Sequence, residues 1–115
     1  MAQYLVLIYE DEASFASAGK EVLDEVMAAN MKFGEQNSTS IGGGNALQPT
    51  STATSIRKNA SGELQVTDGP FAETKEGLGG YYVIEAEDLD KALEIAKQVP
   101  ARFGGVEVRP IMVFD

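Results

Sequence analysis

"YLVLIY", residues 4–9, decides the fold. Six consecutive β-favouring residues with no polar alternation form a strand that needs cover on both faces. Glu10-Asp11-Glu12 closes it. "YYVIEA", residues 81–86, reads the same way, and Val106 to Phe114 supplies a further strand. Between the first two runs, Val22, Leu23, Val26, Met27 and Phe33 stripe one face of a helix over about Lys20–Gln36, with Asp24, Glu25 and Lys32 opposite. Asp88 is placed to cap a second helix reaching about Val99, with Leu89, Ala92, Leu93 and Ala96 inward and Pro100 as its stop.

The middle of the chain is less regular. Ser40 to Thr50 holds three successive glycines, Gly42–Gly44, and Pro49; it reads as an irregular connector or a short edge strand. Thr52–Lys58 and Glu63–Thr67 flank Asn59-Ala60-Ser61-Gly62, a four-residue hairpin signal. The order β-α-β-β-β-α-β then predicts an α+β, ferredoxin-like sandwich: an antiparallel sheet with two helices on one face. Helices cover only half of the apolar residues in strands 4–9 and 81–84. The other face requires a second copy, sheet to sheet, so the expectation is a homodimer with a cavity between the sheets.

Composition narrows the chemistry. At 115 residues and 43% apolar content the chain is read as one domain, 1–115, with a modest core. Cysteine and histidine are both absent. Disulfides, thiolate zinc sites, cysteine nucleophiles, Ser-His-Asp catalysis and histidine-ligated haem are therefore excluded, and neither haem nor a tightly bound transition metal is expected. Acid–base work falls to carboxylates, Lys, Tyr or water. A net charge of −9 argues against direct contact with nucleic acid or an anionic membrane. The apolar run at Tyr4–Tyr9 is too short for a signal or membrane segment, which makes a cytoplasmic protein the expectation.

The charged corner before residue 81 is the candidate site. In Asp68-Gly69-Pro70-Phe71, Pro70 fixes its own φ and keeps Gly69 out of helical geometry. Asp68 there is either an Asx-type cap on the next turn or an acid held at a pocket mouth. Glu73 and Lys75 are either a solvated charged turn or partners of Asp68, two carboxylates and an ammonium able to supply an acid and a base. Arg57 beside a strand, and Arg109 on one face with Glu107, are either surface cations or anion contacts within a dimer cavity. Gly42-Gly43-Gly44-Asn45 and Gly77-Leu78-Gly79-Gly80 lack the ending of a phosphate loop, and the second leads into a strand rather than a helix.

Taken together, Leu47-Gln48-Pro49, Thr52–Arg57, Val66–Glu76, Leu78–Tyr82, Asp88–Leu93 and Val106–Pro110 resemble the YCII-related family, in particular its DGPF subgroup, within the dimeric α/β-barrel superfamily. The resemblance spans nearly the whole chain and implies a ferredoxin-like subunit that dimerises through its sheet. It also implies a His-Asp pair as the active couple, of which only Asp68 exists here. Two classes of function follow. One binds or converts a small, anionic molecule in the dimer cavity, using Asp68, Gly69, Pro70, Phe71, Glu73, Lys75, Arg57 and Arg109. The other is a non-catalytic regulatory module touching a sigma-factor-type protein, as some DGPF relatives imply.

Overall fold

The computed structural model describes residues 1–114. Strand β1, Ala2–Asp11, lies inside a four-stranded antiparallel sheet, between β5, Glu76–Ala86, and β6, Gly104–Pro110. Its register runs from Ala2 opposite Ala86 to Ile8 opposite Gly80, and on the other side from Tyr4 opposite Pro110 to Glu10 opposite Gly104. The glycine-rich stretch is an edge strand, β2, Ile41–Ala46, paired to the outer side of β5. Glycine is needed at Gly44, where a Cβ would stand 2.7 Å from both the Tyr81 carbonyl oxygen and Tyr82 Cδ1. The spatial order β2-β5-β1-β6 is that of a ferredoxin-like sheet, as expected.

Alternation sorts the side chains of the sheet. Tyr4, Val6 and Ile8 of β1 join Ile84 and Ala86 of β5 in the core, where Val6 and Ile84 are fully buried. Helix α2, Lys20–Gln36, adds Phe33 to this cluster, and helix α3, Leu89–Ala96, adds Ala92 and Ala96. Both long helices therefore cover one face. Full burial of a side chain such as Val6 or Ile84 stabilises the fold by about 1.5–3 kcal/mol. The inward stripes are narrower than the sequence spacing predicts. Met27, Leu89 and Leu93 face solvent, and Val99 beyond α3 is buried instead. On α2, Asn30 faces the sheet, accepting the Tyr82 hydroxyl at 3.1 Å while the Tyr82 ring packs on Phe33. Asp88 caps α3 as predicted, accepting from the Lys91 N–H at 3.0 Å.

The ends of several elements differ from expectation. β5 begins at Glu76 because Gly77 and Leu78 pair with β1 opposite Glu10 and Tyr9. β6 stops at Pro110 rather than Phe114, the last ladder position opposite Tyr4. A short helix, α1, Glu12–Ser17, follows β1 directly; Asp11 caps it by accepting from the Ser14 N–H.

The predicted hairpin forms but does not join the sheet. β3, Thr54–Lys58, and β4, Leu64–Asp68, pair only with each other and project between β2 and β5 as an arm. Its loop is fixed by Asn59, whose side-chain oxygen accepts from the N–H groups of Ser61 and Glu63, with Gly62 at φ +86°. β3 and β4 make no extensive contact with the sheet or a helix among the described residues. Ser55 alone of their ten residues is buried.

Two surfaces are thus left apolar. One is the uncovered sheet face carrying Leu5, Leu7, Tyr9, Tyr81 and Val83, each half-buried in the single chain. The other is one side of the arm, where Ile56 opposes Val66 and Leu64 opposes Lys58. The chain forms a thin plate, 48 × 47 × 17 Å, with a radius of gyration of 16.3 Å. A compact domain of this length has about 13 Å. It exposes 8212 Å², where a compact 12.3 kDa monomer exposes about 6,100 Å². No helix among the described residues is long and apolar enough to cross a membrane.

Candidate functional site

The root of the arm meets the sheet at a cleft of about 330 Å³, lined by Thr50, Ser51 and Gly77 on one side and by Gly69, Pro70, Ala72, Glu73 and Thr74 on the other. The corner that closes β4 sets the second wall. Gly69 sits at φ +99°, a region that L side chains avoid. Its N–H donates to the Ala53 carbonyl at 2.7 Å, and its own carbonyl accepts the Ser55 hydroxyl at 2.6 Å. Pro70 then limits the chain to few conformations.

This clamp replaces the one expected from Asp68. Among the described residues no hydrogen bond reaches the Asp68 carboxylate, and its side chain is exposed. The reason lies in the ladder: Asp68 pairs with Thr54 as the last residue of β4, so its side chain stands off the strand and does not bend over the following turn. Ser55, one residue further along β3, holds the corner instead.

The other predicted residues separate into three groups. Gly69, Pro70 and Glu73 line the cleft. Asp68 and Lys75 are exposed neighbours of its lining. Arg57 and Phe71 belong to each other, the guanidinium lying 4.4 Å from the ring centroid. Arg109 sits on β6, an element that contributes nothing to the cleft, and faces Glu107 at 3.9 Å in an exposed pair of little energetic weight.

The first wall rests on residues the sequence pattern did not single out. Glu12, the first residue of α1, reaches across to Thr50. The Thr50 N–H donates to Glu12 Oε2 at 2.8 Å, and the Thr50 hydroxyl donates to Oε1 in a short contact. These bonds favour the ionised form and hold the Glu12 carboxyl below its ordinary range. A Cβ on Gly77 would lie 2.7 Å from Thr50 Cγ2 and 3.1 Å from Glu12 Oε1, so glycine at 77 makes room for the pair. Glu10, near the end of β1, has glycine opposite it on both sides, Gly77 and Gly104. Burial raises its carboxyl above the ordinary range, offset in part by the Phe103 N–H at 3.4 Å. The sequence signals for this wall were slight: an acidic triplet that read as a strand stop, and Pro49 near the end of the Ser40–Thr50 stretch.

The lining is rich in hydrogen-bond acceptors. Thr50 gives its hydroxyl proton to Glu12, and Thr74 gives its own to the Glu76 carbonyl. Both hydroxyl oxygens keep lone pairs for a ligand. Glu73 adds a carboxylate, and Ser51 alone of the three lining hydroxyl residues makes no such commitment among the described residues. A molecule bearing O–H or N–H donors fits this surface. Among the described residues no three acidic side chains converge as a metal site.

A model of the YCII-related domain matches residues 2–115. The uncharacterized protein R00369 of Rhizobium meliloti (strain 1021) is 38% identical over 118 residues, covering 96% of this chain and 93% of that protein. Among solved structures, 5-chloro-2-hydroxyhydroquinone dehydrochlorinase (TftG) from Burkholderia phenoliruptrix AC1100, in complex with 2,5-dihydroxybenzoquinone, is similar with a TM-score of 0.57 at 16% identity. That likeness covers 96% of this chain and 93% of TftG, and it is a likeness of fold. The chain belongs to the YCII-related family, and its subunit has a ferredoxin-like α+β fold.

Proposed function

We propose that this YCII-related chain binds a small, donor-bearing molecule of about one ring in the cleft at the arm root, and does so as a homodimer. The observation that carries the reading is the lining itself: two threonine oxygens with their protons committed elsewhere and one carboxylate, set between a glycine-proline corner and a glutamate-anchored turn. Its volume of about 330 Å³ is at the small end of ligand pockets. TftG was solved with 2,5-dihydroxybenzoquinone, a one-ring compound whose hydroxyls are acidic; hydroquinone, a ring of the same size whose two hydroxyls stay protonated at neutral pH, is the matching donor probe. Glu73 is the group for a ligand hydroxyl or its proton, with Asp68 and Lys75 at the rim. An anionic ligand would depend on Lys75, because Arg57 and Arg109 are engaged elsewhere. The homodimer reading is supported by the uncovered apolar sheet face and by the exposed area in excess of a compact monomer.

The test is a calorimetric and NMR titration with hydroquinone. Binding should shift the amides of Gly69, Thr74 and Gly77. Thr50→Val, which removes the acceptor oxygen and its bond to Glu12 Oε1 while keeping the backbone bond to Oε2, should weaken binding about tenfold, the worth of one to two hydrogen bonds. Shifts confined to other surfaces, or a Thr50→Val protein that binds equally well, would overturn the reading.

A further inference from the structure

The arm has no support within its own chain. A two-stranded hairpin with five-residue strands is marginal in water unless something packs on it. Here every residue of both strands except Ser55 is exposed. One side of the arm carries Ile56, Val66 and Leu64, which retain 57%, 65% and 66% of their surface, with Thr54, Lys58 and Asp68 toward its ends. The other side carries Arg57, stacked on Phe71.

We propose that the arm is exchanged: each subunit lays the Ile56–Leu64–Val66 side of its hairpin on a second copy of the chain. The proposal rests on the homodimer reading above and adds the element that makes the grip. Two observations select another copy as the occupant. The first is area. Each chain exposes about 2,100 Å² beyond a compact monomer, within the range buried by obligate homodimers. The sheet-face residues are already half-buried, so the open sheet supplies only part of that excess and the arm must supply the rest. The second is charge. On the Ile56 side Lys58 is balanced by Asp68, so the docking side is neutral while the chain as a whole carries −9. A neutral side approaches another copy of so acidic a chain without the like-charge repulsion that the rest of the surface would meet. Because β4 runs directly into Gly69–Thr74, docking the arm also steadies one wall of the cleft.

Sedimentation equilibrium with hydrogen exchange tests this. The wild-type chain should be a dimer at low micromolar concentration, and amides of residues 54–58 and 64–68 should gain protection as the dimer fills. The double variant Ile56→Glu, Val66→Glu should raise the dimer dissociation constant at least 100-fold while leaving the far-ultraviolet spectrum unchanged. If that variant does not fold, exchange in the wild-type chain decides. A wild-type dimer whose hairpin amides exchange freely, are protected regardless of concentration, or are covered only by a heterologous protein overturns the exchanged arm and leaves the homodimer standing. A folded wild-type monomer at these concentrations overturns both.

Discussion

The body and the arm are built from similar β-favouring residues and come to opposite ends. In the body, Val6 and Ile84 face each other's neighbours across paired strands and lose all exposure beneath two helices. In the arm, Ile56 and Val66 face each other across an equally regular ladder and stay more than half exposed. Strand pairing satisfies the backbone in both places; only the body adds a second layer. The difference teaches that a strand's stability here comes from what lies above the sheet, since cross-strand pairs contribute only about 0.2–1 kcal/mol each.

That contrast can be broken from either side. The largest effect belongs to the body. Ile84→Ala, at a fully buried position, should cost about 2–5 kcal/mol in denaturant unfolding; a cost below about 1 kcal/mol would mean the core is looser than its burial indicates. Next comes the hinge between the two regions. Gly69→Ala forces a side chain to φ +99° and should cost about 1–2 kcal/mol. That loss should fall on the arm, as faster amide exchange in residues 54–58 and 64–68, with the helical signal kept. An equal loss across the sheet would show that body and arm unfold as one unit.

The smallest effect sharpens the comparison at the seam. Glu10 has a folded-state pKa above its ordinary 4.5, so the folded chain holds that proton more tightly than the unfolded chain. Its contribution to stability is therefore full below about pH 4.5 and is lost as pH rises through the raised value. Glu12 runs the other way: its lowered pKa gives stability that is present above the ordinary value and is lost as pH falls. Glu10→Gln should accordingly raise the melting temperature slightly at neutral pH and flatten its decline as pH rises from about 4.5 toward neutrality. A variant less stable than the parent at neutral pH would contradict the burial of Glu10.

The same contrast explains which features the residues announce by themselves. Tyr4–Tyr9, Tyr81–Ala86 and the Asp88 cap were legible because apolar runs and cap chemistry are local, and local chemistry survives into the fold. Ile41–Ala46 stayed ambiguous between connector and edge strand because Gly42–Gly44 carry no side chains to pattern. Its pairing is dictated by Tyr81 and Tyr82, which lie far along the chain. Gly77 stood in a glycine run that only led into a strand, since its need for glycine arises from Thr50 and Glu12. At the site, the Gly69-Pro70 corner was visible, and Gly69, Pro70 and Glu73 do line the cleft. The Glu12–Thr50 contact was not, because it joins two segments 38 residues apart. The expected Asp68 cap failed because the ladder carried pairing one residue further than the turn chemistry suggested.

The position of β1 has a consequence for how the protein is made. This strand leaves the ribosome well before β6, whose Pro110 sits opposite Tyr4 about 100 residues later. At synthesis rates of about 5–20 residues per second, Tyr4–Tyr9 waits roughly 5–20 s before its second neighbour exists. Until then the most apolar run of the chain has no completed sheet to enter. Folding of this subunit therefore waits on β6 and is paced by the closing of long-range strand pairs, and the nascent Tyr4–Tyr9 segment is where a chaperone has most to cover.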